Sequence, residues 1–150
     1  MGKERLYTSR RAGITKALSQ QFALIDGRGL YHQAVAETSP RLKFWDEVEE
    51  FPAVHINAGG ETREYLTGGV KNRFLTITLR CYVNEEDAVS ALDELLEDVE
   101  TVIEENNRLK YHDRNGLEQF TQQITVISID TDEGVLDPLG VGEILIEVRY

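Results

Sequence analysis

The sequence predicts an α+β fold in which one mixed, mostly antiparallel β-sheet has two main helices packed on one face. Two observations lead to this prediction. Two segments place apolar residues at helical spacing, and five others alternate apolar and polar residues as strands do, in the order α-β-β-β-α-β-β. Helices and antiparallel hairpins in this order pack as two layers, so we expect a single domain over residues 1–150.

The first helix is predicted over residues 7–24, where apolar residues recur on one side of the helix. Its core-facing positions are Ile14, Ala17, Leu18, Gln21 and Phe22. Residues 30–37 alternate loosely and are predicted to form a short strand. Residues 38–51 are predicted to be a connection that lays Phe44 or Trp45 over the core.

The clearest strand covers residues 73–84, and a shorter strand is predicted at 52–57. One face of the longer strand is apolar and consists of Leu75, Ile77, Leu79, Cys81 and Val83. The residues between the two strands, 58–72, contain one glycine pair near each end. Because this segment is longer than a hairpin turn needs, we predict a long Gly-rich loop of the kind that is usually functional or disordered.

The second helix is predicted over residues 85–105, with Asn84 as its N-cap. Its core-facing positions are Ala88, Leu92, Leu95, Leu96, Val99 and Ile103. Ten acidic residues and no basic residue occupy the remaining positions of 85–105, and we expect this acidic face to be exposed to solvent.

Two further strands are predicted after the second helix, at 120–130 and at the segment DPLGVGEILIEVRY, residues 137–150. Pro138 and the glycines that follow it turn the chain, so the two strands are expected to pair as a hairpin. One face of the second strand is apolar and consists of Ile144, Ile146, Val148 and Tyr150. This alternation predicts a strand that is half-buried as far as Tyr150.

The sequence contains no arrangement of residues that points to catalysis or metal binding. His32, His55 and His112 lie in separate segments without ligand spacing, so zinc is not expected. The segment that starts at Asp130 begins like a calcium loop, but its twelfth position is Val141, where a bidentate glutamate is needed. The carboxylates of the second helix lack an apolar pocket that could tune them for acid catalysis. We therefore expect a non-enzymatic protein without a cofactor.

The composition excludes several other classes of protein. The sequence has no run of about eighteen apolar residues that could span a membrane. The single cysteine, Cys81, lies in an apolar strand and suits a structural role in a reducing compartment. The net charge is −11, although the first sixteen residues are net positive. Because such a surface repels phosphate groups, tight binding to duplex DNA is not expected.

Four features together resemble the tail terminator, or tail-completion, proteins of long-tailed bacteriophages. They are a basic amphipathic helix near the start, PAVHINAGGE before the Gly-rich segment, FLTITLRCYV running into the acidic helix EEDAVSALDELLEDVETVIEEN, and the closing DPLGVGEILIEVRY. The resemblance implies a structural role in virion assembly, at the head-proximal end of the tail, with assembly in the host cytoplasm. Two alternatives stay open, which are another head-tail connector or neck protein and a small ligand-binding α+β regulatory module.

The resemblance also implies a hexameric ring that caps the tail tube, stops its polymerisation and provides the head-attachment surface. Its partners would be further copies of itself, the tail-tube protein and the head-tail connector protein. DNA would pass through the ring without specific binding. We expect the Gly-rich loop to face the tube and the basic first helix to contact a neighbouring subunit. The candidate tube or subunit contacts are Arg10, Arg11, Lys16, Gly59, Gly60, Arg63, Glu64, Tyr65, Gly68, Gly69 and Lys71.

Overall fold

The computed structural model describes residues 10–150, and of Trp45 it describes only the main chain. Within these residues no helix is long and apolar enough to cross a membrane. The same residues form two α-helices and seven strands. They are α1 (Arg11–Phe22), β1 (Glu37–Ser39), β2 (Ala53–Tyr65), β3 (Lys71–Asn84), α2 (Ala88–Glu105), β4 (Lys110–His112), β5 (Glu118–Phe120), β6 (Gln123–Thr131) and β7 (Leu139–Arg149).

Five of the strands form one sheet in the order β1-β2-β3-β7-β6, and β4 pairs with β5 in a separate two-stranded sheet. β1 is parallel to β2, whereas β2–β3, β3–β7 and β7–β6 are antiparallel. Both helices contribute side chains to one core with β2, β3, β6 and β7, so they pack on the same face of the sheet. The predicted fold class is confirmed, as is the predicted hairpin between the last two strands.

The apolar periodicity of the sequence accounts for this core. The predicted inward face of β3 is fully buried, and so are the alternate apolar residues of β7, with Tyr150 at 4% exposure just beyond that strand. The predicted apolar side of α2 is buried against them. On α1, the buried residues are Ile14, Thr15, Ala17, Leu18 and Phe22.

The opposite face of the sheet is partly covered by the connection between β1 and β2. Val48 of this connection packs in a small second cluster with Tyr82. His55 is fully buried on the same face, and its Nε2 lies 2.6 Å from an oxygen of the Glu37 carboxylate. Burial opposes ionisation of Glu37, but hydrogen bonds from His55 and from the N–H of Glu49 hold the pKa of Glu37 below its ordinary value. This contact ties the short edge strand β1 to β2.

The prediction for residues 30–37 is wrong, because only Glu37 of that segment lies in a strand. The physical reason lies in Asp98, which was expected on the exposed acidic face of α2 but is 1% exposed. Its carboxylate accepts hydrogen bonds from the backbone N–H groups of His32 and Gln33, at 2.8–3.1 Å. Donors used in this way are not available to a sheet. Of the two residues predicted to cover the core, Phe44 is largely exposed and does not do so, and the side chain of Trp45 lies outside the described part of the structure.

Both helices start later than predicted within the described residues. α1 begins at Arg11, and residues 7–9 of the predicted helix lie outside the described part of the chain. α2 begins at Ala88, and its N-cap is Asp87, which accepts a hydrogen bond from the N–H of Ser90 at 3.3 Å. The predicted cap, Asn84, is instead the last residue of β3, because it pairs with Leu139 across the sheet. Sheet pairing therefore outweighs the local capping preference.

The predicted loop at 58–72 is mostly strand. β2 continues to Tyr65 and β3 starts at Lys71, so only residues 66–70 connect them. The predicted strand at 120–130 is interrupted at Thr121, whose hydroxyl accepts from the N–H of Leu109 and donates to the carbonyl of Asn107. These bonds divide it into β5 and β6.

Candidate functional site

The β2–β3 hairpin extends past the core because of a bulge in β2. Ala58 pairs with Ile77 and Glu61 pairs with Leu75, so β2 has one more residue than β3 over this interval. Gly59 lies in the bulge, where a Cβ atom would stand 3.2 Å from the carbonyl oxygen of Thr76. A bulge bends a strand and increases its twist. We call residues 61–74 beyond it the hairpin arm, and residues 65–71 the tip.

The tip is closed by backbone geometry that requires glycine. Gly68 and Gly69 have φ values of 82° and 80°, in the left-handed region that side chains disfavour. The N–H of Leu66 donates to the carbonyl of Val70 at 2.8 Å, which completes the turn. Tyr65 is 68% exposed, Leu66 44% and Val70 53%. The tip therefore presents three large apolar side chains to its surroundings.

The base of the arm is held by Tyr150. Its backbone pairs with Arg73 in both directions, and its hydroxyl donates a hydrogen bond to the Glu61 carboxylate. Burial opposes ionisation of Glu61, but hydrogen bonds from Tyr150 and Arg63 outweigh it, so the pKa of Glu61 lies below its ordinary value. The guanidinium groups of Arg10 and Arg73 lie 5.3 and 5.6 Å from the centre of the Tyr150 ring, within range of cation–π attraction.

Two of the predicted contact residues on the first helix brace the fold. Arg11 donates to the carbonyl of Ala58 at 3.1 Å and also to the carbonyl of Gly59, so it stabilises the bulge. Arg10 donates to the hydroxyl of Tyr111 and to the side-chain oxygen of Gln119, each at 3.4 Å. Both arginines are thus engaged within the subunit, next to the arm.

Lys16 points to a different surface. It is exposed and lines a groove of about 420 Å³ between α1 and the strand β4. Lys110, His112 and Asp113 line the same groove, so it holds two lysines against one carboxylate. The groove is therefore mainly basic in a strongly acidic chain.

The remaining predicted residues all lie in or next to the arm. Gly60 completes the bulge, Arg63 donates to the Glu61 carboxylate at 2.9 Å, and Glu64 is exposed opposite Asn72. The ammonium group of Lys71 lies 5.7 Å from the centre of the Tyr65 ring. Of the eleven predicted residues, Lys16 alone is separated from the arm and its base.

A groove on the outer face of the sheet was not predicted. It has a volume of about 460 Å³ and lies at the end of β3 opposite to the arm, and we call it the outer-face groove. Arg80 lines it and donates to the Glu143 carboxylate at 2.6 and 2.9 Å. Its other lining residues are Phe44, Tyr82, Asp130, Thr131, Asp132, Leu136 and Val141.

The sequence carries only part of the signal for this groove. On the half-polar face of β3, Arg80 is followed by the aromatic Tyr82, and the acidic turn that starts at Asp130 comes into contact with that face only through the pairing of β6 with β7. Within residues 10–150, no three His, Cys, Asp or Glu side chains gather as metal ligands would. This arrangement of arm and grooves is best suited to surface contacts with other macromolecules.

Comparison with known proteins identifies the family. A family model described as Bacteriophage Tail Tube Terminator Protein matches residues 8–150. The chain belongs to this family. A tail tube terminator is a structural, non-enzymatic component of the virion tail, and the predicted resemblance and location in the tail are thereby confirmed.

A curated relative supports the same conclusion. The chain is 37% identical over 112 residues to the tail tube terminator protein p142 of Escherichia phage T5, which covers 71% of this chain and 69% of the relative. A solved structure titled "Virion of native gene transfer agent (GTA) particle" contains a chain of similar fold, with a TM-score of 0.54 and 8% identity, over 91% of this terminator and 93% of that chain. At that identity the likeness concerns the fold alone.

Proposed function

We propose that the chain assembles into a hexameric ring that caps the last ring of tail-tube subunits. The cap stops tube polymerisation and provides the surface to which the head attaches through the connector protein. The observation that carries this proposal is the hairpin arm, which holds the apolar side chains of Tyr65, Leu66 and Val70 outside the core. Apolar side chains displayed together on a rigid projection are typical of a contact surface.

The rigidity of the arm supports an assembly role. Tyr150 fixes the base of the arm, because its hydroxyl donates a hydrogen bond to Glu61 and its backbone pairs with Arg73. Arg11 fixes the bulge from which it projects. A contact surface that is already ordered loses little conformational entropy on association, so more of the contact energy is available for binding.

Surface charge supports a second contact between neighbouring subunits of the proposed ring. The groove beside Lys16 and Lys110 is basic, whereas Asp93 and Glu97 are exposed on α2, which carries an acidic outer face. Unlike surfaces of this kind suit a heterologous contact, in which one patch meets a different patch on the next copy. Such a contact steers association more than it strengthens it.

The same charge fits passage of DNA through the ring. The chain has a net charge of −11, so a ring of several copies repels the phosphate backbone at long range. DNA can then move past the protein without being held by it.

The experiment is a capping assay on a variant with a shortened tip. Residues 66–70 are replaced by Asn-Gly, which closes a two-residue hairpin between the paired residues Tyr65 and Lys71. This change spares Glu61, the partner of Tyr150. A matched control, Leu117→Asp, changes an exposed residue in the turn of another hairpin, between β4 and β5.

Electron micrographs of tail-tube subunits mixed with each protein give the tube lengths, and native mass spectrometry gives the oligomer size. We expect the wild type and the control to limit tube length and to form six-subunit species, and the shortened variant to fail in capping. The proposal is contradicted if the wild-type protein leaves tube length unlimited, or if the shortened variant caps tubes normally.

A further inference from the structure

We infer that the tip of the hairpin arm of one subunit binds in the outer-face groove of the next subunit. This inference rests on the proposed ring and specifies the contact that closes it. It assigns the arm to a second copy of the same chain, in place of the tube contact that the sequence suggested.

The first argument is position. The tip at Lys71 and the groove at Tyr82 lie at opposite ends of the strand β3, roughly 35 Å apart at about 3.3 Å per residue. A tip therefore cannot reach the groove of its own subunit. A projection at one end and a recess at the other produce a head-to-tail contact, which is the kind that builds rings.

The second argument is chemical match. The groove is lined by the apolar side chains of Val141, Leu136 and Phe44 over the buried ring of Tyr82, and Phe44 is 75% exposed. The tip offers large apolar side chains of its own, which would be buried in such a recess. A volume of about 460 Å³ lies within the range of about 300–1,000 Å³ that accommodates drug-sized ligands, so it has room for several side chains of a hairpin tip.

The third argument is charge. Residues 65–71 carry one side chain that is charged at neutral pH, that of Lys71. Among the groove residues, Asp130 and Asp132 are acidic, and the acid Glu143 is balanced by its ion pair with Arg80. The tip is thus positive and the groove negative, so the two surfaces attract each other while copies of the same surface do not.

The test is a cysteine cross-link that reports this contact in assembled rings. Leu66→Cys in the tip and Leu136→Cys in the groove are introduced into one chain, and capped tubes are oxidised. Leu117→Cys with Leu136→Cys is the matched control pair, because Leu117 is 58% exposed at the other hairpin turn. Since a disulfide needs Cα atoms within about 7 Å, a Leu66–Leu136 pair can cross-link only between subunits. The native Cys81 is fully buried and burial raises the pKa of its thiol to about 12, so it does not compete.

We expect the tip-and-groove pair to give a ladder of disulfide-linked oligomers and the control pair to give monomers. A second variant, Leu66→Asp, should weaken ring assembly at least tenfold, because it brings a carboxylate into a groove that already carries Asp130 and Asp132. The inference is overturned if capped tubes carry only monomers of the tip-and-groove pair after oxidation. It is also overturned if Leu66→Asp forms normal rings and loses only capping, which would assign the tip to the tube. In both cases the proposed ring and its capping role stand, whereas failure of the unmodified protein to cap would refute the proposed function itself.

Discussion

Tyr150→Phe is expected to destabilise the protein by removing one hydroxyl group and nothing else. That hydroxyl donates to Glu61, whose side chain is 8% exposed. A hydrogen bond to a charged group contributes about 1.5–3 kcal/mol to the free energy of unfolding. The ring itself stays, together with its contacts to the guanidinium groups of Arg10 and Arg73. We therefore expect a loss of about 1.5–3 kcal/mol at neutral pH.

The same variant should respond to pH in a defined direction. The folded-state pKa of Glu61 is lower than its ordinary value of 4.5, because hydrogen bonds from Tyr150 and Arg63 outweigh burial. The ionised carboxylate thus contributes stability that is present above that ordinary value and is lost as the pH falls through the folded-state pKa. Once Glu61 is protonated, the bond from Tyr150 joins two neutral groups and contributes only about 0.5–1.5 kcal/mol. The difference in stability between wild type and variant should therefore shrink in acid.

Urea unfolding followed by circular dichroism measures both effects, at a protein concentration at which native mass spectrometry shows only monomer. Tyr65→Phe is the matched control, because Tyr65 is exposed at the tip, and it should change stability by less than about 0.5 kcal/mol. A loss below about 0.5 kcal/mol for Tyr150→Phe at neutral pH would refute the reasoning, since the bond would then contribute less than hydrogen bonds usually do. A loss that stays constant with pH would show that the charge of Glu61 is not involved.

Three further predictions concern the core. Leu79→Ala should lower the free energy of unfolding by about 2–5 kcal/mol in urea titrations, because its side chain is fully buried between the sheet and the helices. Asp98→Ala should cost about 1–3 kcal/mol for each of the backbone donors of His32 and Gln33 that it leaves unpaired, and Asp98→Asn should cost less, in the same measurement. Cys81 should react slowly with a thiol reagent in the native protein and quickly in urea, because burial raises the pKa of its thiol to about 12.

The elements with strong periodicity were predictable from the sequence. The alternation that runs through Leu75 and Val83 identified the buried face of β3, and the apolar spacing from Ala88 to Ile103 identified the buried side of α2. In both cases the burial of a continuous apolar face stabilises the element more than the conformational preferences of its single residues do. The pairing of β6 with β7 followed from the turn residues around Pro138.

The errors lie where a side chain far away in sequence decides the local structure. Asp98 reaches the backbone of residues 32–33 from α2, and no pattern within 30–37 reveals this contact. The bulge at Gly59 has a similar origin, since its stabilising partner, Arg11, comes from α1. Polar residues that bind backbone groups over a long sequence separation leave no periodic signal. For this reason the strand at 30–37 was predicted wrongly and the bulge at Gly59 was not predicted.

The candidate contact surface was harder to predict than the fold for a related reason. In the sequence, nothing distinguishes Tyr65, Leu66 and Val70 from core residues, because their exposure depends on the projection of the hairpin. The acidic residues near Asp130 likewise read as a polar turn, because only the position of β6 in the sheet brings them beside Tyr82. A catalytic site concentrates unusual residue types at fixed spacing, whereas an assembly surface uses common residues whose meaning depends on which way they face. The residue types alone could therefore predict a non-enzymatic protein, in agreement with the family, but the tip and the outer-face groove became visible only when the strands were placed in register.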